Sequence, residues 1–481
     1  MADGRQGEST DDWLSASTGG RVVRVGQRLV RGGAVDSRLV RPGMAFFALP
    51  GERTDGHRFL VQAIVAGAAA IVVTDPAAAA AVRPLADERD ATIILVADAG
   101  DALRAAASAW RALFQPLTVG ITGSLAKTST KEVVADVLAE HWRVLRTEGN
   151  RNNEVGLPQT LLDLGPEHGA AVLEMGLYVP GDIALLCGIA RPSIGVVTAV
   201  RGVHLSRAGS IEAIVAGKRE LVEALPSDGV AVLNADDPLV AGMAGHTSAR
   251  VLRYGFAPDA DVTATEVTSL GADGMRFRLR LPDGEDALVT TPALGRHSVH
   301  NGLAAAAVGH AAGLDATTIA RGLARGSRAP HRTTLVQTAR WRVLDDSYNA
   351  APDSMAAALD LLATLPGRRF AVLGEMLELG DDSAEAHRAV GRLAPGRADR
   401  LLAVGAGATD IARGAIEAGM DPALVATPRD RHAAAALLLA EAAAGDTILV
   451  KASRGAALDE LVEALVDAAG GPTNGQGMAS A

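Results

Sequence analysis

The stretch GITGSLAKTSTKE, residues 120–132, decides the fold of this chain. The apolar run Leu117–Thr122 leads into it and is typical of a short buried strand, and valines at helical spacing follow it. A glycine turn between a strand and a helix directs backbone amides and the helix N-terminus to one place, where they bind phosphate. Lys127 adds a positive charge there, and Thr128 adds a hydroxyl that can ligate magnesium. The stretch therefore predicts a P-loop nucleotide site.

One position departs from the usual P-loop pattern. Ala126 stands where a P-loop normally has the glycine that precedes the lysine. If the backbone there must adopt a positive φ, an alanine costs about 1–2 kcal/mol. If the site needs only a close approach of the backbone to phosphate, one methyl group is tolerable. The residues alone leave both possibilities open.

The composition limits the class of protein. A chain of 481 residues predicts about three domains, and its 48% hydrophobic and 21% charged residues can form sizeable cores. The net charge of −10 and the aromatic content of only 3% argue against nucleic-acid binding, which needs a basic face or stacking side chains. We therefore expect small-molecule substrates rather than nucleic acid.

Three features predict the compartment. Cys187 is the only cysteine, so it cannot form an intramolecular disulfide, and its apolar neighbours predict a buried, inert thiol. The polar N-terminus does not resemble a signal peptide. The most apolar run, residues 63–73, is far shorter than the roughly 20 residues that a membrane span needs. We expect a cytoplasmic protein without membrane insertion.

Alternating strand and helix patterns predict an α/β fold class with three domains. Residues 1–115 alternate short strands and helices, residues 116–328 surround the P-loop and predict a mostly parallel sheet, and residues 329–470 form a second αβ unit. An inserted patch at residues 251–289 has alternating side chains and predicts antiparallel strands. The glycine-rich residues 471–481 predict a flexible tail.

Further candidate residues lie at strand ends and in loops. Glu174 ends an apolar strand, where a carboxylate either holds magnesium or caps the following turn. His204 follows another strand and is a candidate metal ligand, although a single loop histidine is more often solvated. Lys218 lies in a helix among charged neighbours, which predicts a surface charge. The pair Asp345 and Asp346 ends a strand, where acids commonly meet a ribose or a metal.

These stretches follow one another along residues 36–465, and together they resemble the Mur ligase family. The resemblance rests on the P-loop, on GNRNNEVG at residues 149–156, on DDSYN at residues 345–349 and on MLELG at residues 376–380. It implies a three-domain architecture with a central P-loop ATPase-type parallel sheet and a C-terminal Rossmann-like domain. The last two blocks are typical of the branch that adds D-alanyl-D-alanine to UDP-N-acetylmuramoyl-tripeptide. That reaction uses ATP and Mg²⁺, passes through an acyl phosphate and belongs to peptidoglycan precursor synthesis.

The resemblance also implies a monomer and roles for four sets of residues. The ATP-binding set would be Gly123, Ser124, Leu125, Ala126, Lys127, Thr128, Ser129, Asn301, Arg332 and Asp346. The catalytic set would be Lys127, His204 and Lys218. The metal set would be Thr128, Glu174, His204 and, if it is carbamylated, Lys218. The substrate set would be Ser37, Arg38, Asn152 and Asn153, with the region of Phe46 and Phe47 at the UDP end.

Three positions depart from the family pattern. Ala126 bears on phosphate binding, and Ser298 and Ala351, which replace asparagines, bear on nucleotide or acceptor contacts. The departures leave two alternatives: a paralogue that ligates another amine acceptor, and a protein that binds UDP-muramyl peptide without ligating it. The retained Lys127 and Thr128 favour a working ligase. The residues do not identify the third amino acid of the tripeptide.

Overall fold

The computed structural model describes residues 10–51, 54–202, 210–326 and 329–473. The α-helices in these ranges are α1 Thr10–Thr18, α2 Leu60–Val65, α3 Pro76–Arg89, α4 Ala99–Ala112, α5 Lys127–Leu138, α6 Gly156–Leu162, α7 Asp182–Ala190, α8 Ile211–Glu223, α9 Pro238–Ala241, α10 Arg296–Ala311, α11 Ala316–Arg325, α12 Pro352–Ala363, α13 Ser383–Gly391, α14 Ala408–Glu417, α15 Arg431–Glu441 and α16 Asp459–Ala468. Short 3₁₀ helices are Ser37–Leu39, Gly56–Phe59, Gly242–His246, Gly271–Asp273, Gly380–Asp382, Pro422–Leu424 and Arg454–Ala456.

The first sheet has five strands. They are β1 Arg21–Arg24, β2 Gly33–Ala34, β3 Ala45–Phe47, β4 Ala70–Val73 and β5 Thr92–Leu95. Their order is β1-β5-β4-β3-β2, in which β1 pairs antiparallel and the other strands are parallel. Every residue of β4 is buried, which confirms the strand predicted there and agrees with a parallel strand covered on both faces.

The second sheet carries the P-loop. Its six strands are β6 Leu117–Thr122, β7 Val144–Arg146, β8 Ala170–Glu174, β9 Ile194–Val197, β10 Val230–Asn234 and β11 Arg250–Tyr254. All pairings are parallel, in the order β11-β10-β9-β6-β8-β7, as the sequence predicted for this region. Since β6 pairs with both β8 and β9, the carboxyl ends of all three strands lie at one edge.

A separate three-stranded antiparallel sheet is inserted after the second sheet. Its strands are β12 Thr263–Ser269, β13 Met275–Arg280 and β14 Asp286–Thr291. The predicted antiparallel patch at residues 251–289 is therefore correct for β12 to β14 and wrong at its start, because β11 pairs in parallel with β10. Phe277 of β13 packs in one core with Leu303 of α10 and Val137 of α5.

The last sheet has six strands. They are β15 Thr334–Gln337, β16 Arg342–Asp346, β17 Arg369–Leu373, β18 Arg400–Ala403, β19 Val425–Ala426 and β20 Thr447–Lys451. Their order is β15-β16-β20-β17-β18-β19, and only β15 pairs antiparallel. The sequence pattern predicts strands at residues 342–345, 370–373, 401–404 and 447–450, which match β16, β17, β18 and β20 to within one residue at each end, but it does not predict β15. The carboxyl ends of β16 and β20 face the P-loop edge of the second sheet.

Two further predictions concern the thiol and the membrane. Cys187 in α7 is 4% exposed, and burial raises the pKa of its thiol to about 12, which confirms a buried, inert cysteine. No helix in the described ranges has the length and apolar character that crossing a membrane requires.

Candidate active site

A cavity of about 800 Å³ lies between the P-loop edge of the second sheet and the last sheet. Parallel strands bring their carboxyl ends to one edge, so the loop after β6 and the residue that ends β8 meet there. The predicted site residues that line this cavity are Gly123, Ser124, Leu125, Ala126, Lys127, Thr128, Ser129, Asn152, Glu174, Lys218, Asn301, Arg332 and Asp346.

The P-loop holds its lysine against its own backbone. Lys127 Nζ donates a hydrogen bond to the Gly123 carbonyl at 2.7 Å. Burial lowers the pKa of Lys127, the Glu174 carboxylate raises it, and the positive charge of Arg332 lowers it again. An anion that enters the loop would stabilise the charged ammonium group of Lys127, because it replaces the interactions with water that the group loses on burial.

The backbone of the loop requires unusual conformations. Gly123 has a φ of +152°, and a Cβ there would lie 1.9 Å from Thr198 Oγ1, so no side chain fits. Ala126, immediately before α5, has a φ of +63° and a ψ of 2°. Of the two possibilities that the sequence left open, the strained one holds, since alanine occupies a left-handed conformation that favours glycine.

Glu174 has one oxygen that no described residue contacts. The side chain is 2% exposed, and its Oε1 accepts a hydrogen bond from Asn152 Nδ2 at 2.8 Å. Its Oε2 is buried without a partner among the described residues. A buried carboxylate oxygen without a donor fits a cation ligand, and this arrangement argues against a carboxylate that only caps the following turn.

The cation site is not complete within the described residues. They contain no group of three or more His, Cys, Asp or Glu side chains that could hold a metal ion. Thr128 lines the cavity together with Glu174, which fits two predicted ligands. His204 lies outside the described residues, so its predicted role as a ligand stays a prediction.

Lys218 is not a surface charge, and the prediction from its charged neighbours is wrong. The side chain is 4% exposed and lines the cavity. Lys218 follows Ile214 by four residues and precedes Leu221 by three, so it lies on the buried face of α8. Burial, and then the positive charge of Lys127, lower the pKa of Lys218 well below its usual range, which favours a neutral amine.

The two predicted asparagines differ in what their side chains do. Asn152 lines the cavity and donates to both Glu174 Oε1 and Asn150 Oδ1. Asn153 Oδ1 accepts hydrogen bonds from the amides of residues 155 and 156 at the start of α6, at 3.3 and 2.9 Å. Asn153 therefore caps a helix behind the cavity wall.

The remaining substrate candidates lie beside the first sheet, away from the cavity. Ser37 is 4% exposed and donates to Gln62 Oε1 at 3.0 Å. Arg38 is exposed and forms an ion pair with Asp36. Phe46 and Phe47 are both fully buried, so their side chains support the sheet and present no surface to a ligand.

The last sheet supplies the opposite wall. Asp346 at the end of β16 accepts a hydrogen bond from Lys451 Nζ at 2.5 Å and another from the Thr333 amide at 3.0 Å. The Arg332 guanidinium lies 4.2 Å from the centre of the Tyr348 ring. On the near wall, Asn301 of α10 accepts a hydrogen bond from Thr130 at 3.5 Å.

Sequence reasoning missed a group of residues at one end of the cavity. The Arg296 guanidinium lies 3.9 Å from the centre of the Phe256 ring, and His300 Nε2 lies 3.1 Å from Asp236 Oδ2. The only available signal was NADD at residues 234–237, which ends a strand of the P-loop sheet and was given no role. Aromatic, amide and carboxylate groups of this kind suit a nucleoside.

Arg201 joins the two walls and was also missed. Its Nη1 lies 2.6 Å from Asp237 Oδ2 near the P-loop sheet, and its Nε lies 2.5 Å from Asp353 Oδ2 in the first turn of α12. Its amide also donates to Ser124 Oγ at 3.0 Å. The residue therefore connects the P-loop to an element of the last sheet.

The other two departures from the family pattern have local hydrogen-bonding roles. Ser298 Oγ donates to the Gly295 carbonyl at 2.7 Å, in the first turn of α10. The Ala351 amide donates to Ser354 Oγ at 3.0 Å, which stabilises the start of α12. The Ser298 hydroxyl therefore bonds within its own helical turn, and Ser354 rather than an asparagine satisfies the amide at the start of α12.

Family models match most of the chain. The catalytic domain of the Mur ligase family matches residues 30–111, the Mur ligase middle domain matches residues 121–309, and the Mur ligase glutamate ligase domain matches residues 331–454.

Individual relatives match over nearly the whole length. A UDP-N-acetylmuramoyl-tripeptide--D-alanyl-D-alanine ligase of Mycobacterium tuberculosis is 40% identical, over 90% of this chain and 91% of its own length. The Escherichia coli enzyme of the same name is 38% identical, over 89% of this chain and 92% of its own length.

Solved structures agree with this likeness. MurF from Acinetobacter baumannii superposes with a TM-score of 0.83 at 29% identity, and the match covers 95% of this chain and 98% of that one. MurF ligase from Thermotoga maritima in complex with ADP has a TM-score of 0.77 at 28% identity, and the match covers 90% of this chain and 97% of that one.

Proposed function

This chain belongs to the Mur ligase family, and we propose that it is the ATP-dependent ligase that joins D-alanyl-D-alanine to UDP-N-acetylmuramoyl-tripeptide. The observation that carries the proposal is one cavity lined by Lys127, Glu174 and Lys218, in a chain that aligns with enzymes of that name over about nine-tenths of its length. The product is the pentapeptide precursor of peptidoglycan, so the reaction serves cell-wall growth and, through it, cell shape and division.

The domain division follows the sheets. Residues 1–115 are the UDP-substrate-binding domain, residues 116–328 the central ATP-binding domain, and residues 329–470 the C-terminal Rossmann-like ligase domain. The tail predicted at residues 471–481 lies outside the described residues from residue 474 onward. One substrate per domain suits a reaction of three substrates, because closure of the domains then excludes water from the activated carboxyl group. Ser37 and Arg38 act at the UDP end in this scheme, and Asn152 and Asn153 act beside the peptide.

ATP occupies the cavity, with its phosphates at the P-loop residues 123–129. Asn301, Arg332 and Asp346 hold the nucleotide from both walls. Support comes from the ADP bound to the Thermotoga maritima relative and from the buried charge of Lys127. Arg332, whose charge reaches Lys127, is suited to contact the phosphates as well.

Thr128, Glu174 and His204 would hold Mg²⁺, and Glu174 Oε2, which is buried without a hydrogen-bond partner among the described residues, supports this assignment. The ion, when bound, reduces the negative charge that the phosphates present to an attacking carboxylate. Lys218 joins the set once it is carbamylated. Carbamylation needs a neutral amine, which the lowered pKa of Lys218 provides, and the resulting anion is stabilised by the nearby Lys127.

The reaction activates a carboxylate and then transfers its acyl group. A terminal carboxylate oxygen of the tripeptide attacks the γ-phosphorus of ATP, the bond to the bridging oxygen breaks, and ADP leaves with the electron pair. The free amine of the dipeptide then attacks the acyl carbon, loses a proton, and inorganic phosphate leaves from the tetrahedral intermediate. Lys127 Nζ offsets the charge on the transferred phosphoryl group.

The two alternatives differ in the acceptor and in the chemistry. A paralogue would use the same residues to ligate another amine. Nothing in the nucleotide half of the cavity distinguishes such a paralogue from the D-alanyl-D-alanine ligase. A binding-only protein would not need Lys127 in one cavity with the buried Glu174 and Lys218, and this arrangement speaks against it. We further propose that the enzyme acts as a monomer in the cytoplasm, where nucleotide-linked precursors and ATP are available.

The test is a mass-spectrometric ligation assay with ATP, Mg²⁺, D-alanyl-D-alanine and UDP-N-acetylmuramoyl-tripeptide carrying either diaminopimelate or lysine. We expect one phosphate released per pentapeptide formed. Lys127→Ala abolishes turnover and leaves binding of the UDP substrate intact, because the lysine acts on the phosphates. Arg429→Gln, at a side chain 87% exposed on the last sheet's domain, is the matched control and keeps full activity.

The possible results distinguish the proposed function from its two alternatives. Phosphate release without pentapeptide would favour another acceptor amine. Folded protein that binds the UDP substrate but produces neither phosphate nor pentapeptide would favour the binding-only alternative. Ligation that persists in Lys127→Ala would contradict the P-loop assignment.

A further inference from the structure

Two of the cations that line the cavity already have a carboxylate partner. Arg201 pairs with Asp353, and Lys451 pairs with Asp346. Taking only ion pairs between residues that the structure describes, the arginines of the cavity that lack such a partner are Arg296, Arg332 and Arg454. Each of them can therefore accept an anion from a substrate.

Two of the three arginines lie beside the nucleotide. Arg332 lines the same cavity as Lys127, and its charge lowers the pKa of that lysine, so Arg332 is suited to contact the phosphates. Arg296 stacks on Phe256 at the end of the cavity where His300 meets Asp236, the end suited to a nucleoside.

Arg454 lies on the wall of the cavity that the last sheet builds. It follows the end of β20 and starts the 3₁₀ helix Arg454–Ala456. Its guanidinium lies 5.5 Å from the centre of the Tyr348 ring, and Leu377 from the neighbouring strand end also lines the cavity there. Leu377 is 43% exposed, which is unusual for a leucine inside a cleft and leaves an apolar surface for a ligand.

We propose that Arg454 binds the carboxylate of the acceptor dipeptide and so selects acceptors that carry one. The inference rests on the proposed function. The anionic groups of the substrates include the phosphates, the tripeptide carboxylate that must meet ATP, and the carboxylate of the dipeptide. The first two belong at the P-loop, and the third suits Arg454, an arginine without a carboxylate partner on the wall that the last sheet builds. A guanidinium group matches a carboxylate with two parallel hydrogen bonds.

The backbone that carries Arg454 is held in place before any ligand binds. The Ser453 amide donates to the Glu375 carbonyl at 2.9 Å, and Ser453 Oγ accepts a hydrogen bond from the Leu377 amide at 3.0 Å. The Gly374 amide, just after β17, donates to the carbonyl of Lys451 at the end of β20 at 2.7 Å. A fixed loop places the guanidinium without an ordering cost at the moment of binding.

The contacts around Arg454 also fit the rest of the dipeptide. A Cβ at Gly455 would lie 3.0 Å from Leu377 Cδ1, so the glycine lets the leucine approach the arginine closely. A carboxylate-binding group beside a leucine and the Tyr348 ring suits a ligand that combines a carboxylate with methyl side chains. D-alanyl-D-alanine has both features.

The experiment compares D-alanyl-D-alanine with its C-terminal amide as acceptor, by steady-state ligation. For the wild type, we expect the KM of the amide to exceed that of the acid by about 10- to 100-fold, the range for a hydrogen-bonded charge. Arg454→Gln raises the KM of the acid by about the same factor and brings the two acceptors level. Arg454→Lys gives an intermediate ratio, and the KM values of ATP and of the UDP substrate stay within about threefold.

Arg429→Gln is the control and keeps the wild-type ratio. If Arg454→Gln keeps that ratio as well, the assignment is overturned. A wild type that ligates both acceptors equally well overturns it without any variant, which covers the case of a misfolded variant. A wild type that makes no pentapeptide from the acid refutes the proposed function itself and is recognised before any ratio is measured.

Discussion

At the residue scale, the P-loop stores strain in Ala126. Its φ of +63° lies in the left-handed region, and for alanine this backbone conformation is about 1–2 kcal/mol less favourable than the right-handed one. The strain is tolerated because α5 starts at the next residue, and the loop is held by Thr198 Oγ1, which donates to the Leu125 carbonyl at 2.6 Å. The alanine is therefore a cost in stability rather than a defect in the phosphate-binding amides.

Ala126→Gly should stabilise the protein by about 1 kcal/mol, because glycine adopts this conformation without the clash of a Cβ. Ligation activity should stay within about threefold of the wild type or rise, since the amides of the loop keep their positions. Chemical denaturation and the ligation assay measure the two effects.

The control for this prediction is Ala139→Gly at the other end of the same helix. Ala139 has a right-handed φ of −69°, where glycine costs about 0.5–1 kcal/mol, so this variant should be less stable. A large loss of activity in Ala126→Gly would contradict the account and would mean that the reaction depends on the strained alanine.

At the element scale, the unpredicted strand β15 is held to β16 by a histidine. His331, just before β15, donates from Nδ1 to Asp345 Oδ2 at 2.8 Å, and Asp345 is 3% exposed. The hydrogen bond to Asp345 raises the pKa of His331 despite the opposing effect of burial, and the more distant carboxylates Asp459 and Glu463 raise it further. The interaction also positions the neighbouring Arg332 at the cavity.

The raised pKa predicts a dependence of stability on pH. The folded state holds the His331 proton more tightly than the unfolded state, whose histidine titrates near pH 6.5. The stabilisation is therefore complete below pH 6.5 and is lost as the pH rises through the raised pKa. The free energy of unfolding should be higher for the wild type than for His331→Asn. This difference should be largest below pH 6.5 and should shrink as the pH rises.

Asparagine is the chosen replacement because His331 has a φ of +58°, which asparagine tolerates. His246→Asn serves as the control: this histidine is exposed and has no carboxylate partner among the residues described, so its difference from the wild type should not change with pH. A difference for His331→Asn that is flat across the same range would contradict the charge interaction.

At the scale of the whole molecule, the cavity couples the second sheet to the last one. Arg201 forms an ion pair with Asp353 of α12, and Thr333 Oγ1 lies 3.4 Å from His297 Nε2 of α10. The Arg201 and Asp353 side chains are both about half exposed, at 43% and 56%, so this pair guides the approach of the two walls more than it stabilises the fold.

A bound nucleotide should stabilise both walls together. At one hundred times its Kd, it raises the free energy of unfolding by about 2.7 kcal/mol. Because it contacts both sheets, hydrogen exchange should slow at residues 123–131 and at residues 346–354, with no change in α15, which does not line the cavity. Mass spectrometry of exchanged peptides measures all three segments.

Asp353→Asn tests the coupling between the walls. The variant should keep protection at residues 123–131 and lose part of it at residues 346–354, since it removes the ion pair with Arg201. Asp360→Asn is the matched control in the same helix, because Asp360 pairs with Arg397 on the surface. Equal protection in both variants would mean that the nucleotide alone holds the walls together.

The sequence by itself determined the elements whose signal is local. A strand, a glycine turn and a lysine within thirteen residues predicted the P-loop, and the apolar runs of β4 and β8 predicted buried strands, which are parallel in the sheets. Strand ends then predicted the positions of Glu174 and Asp346, because the carboxyl ends of parallel strands share one edge.

Only the tertiary structure decided which groups meet and how deeply they are buried. Lys218 looked exposed beside its charged neighbours, yet the packing of α8 against the P-loop sheet buries it next to Lys127. Local sequence patterns also did not predict that β11 pairs with β10 or that β15 pairs with β16. They likewise did not predict the conformation of Ala126 or the position of Arg454. Periodicity reports whether a residue is buried, but partners far apart in the chain are chosen by packing, and so the site's chemistry emerges only when the sheets come together.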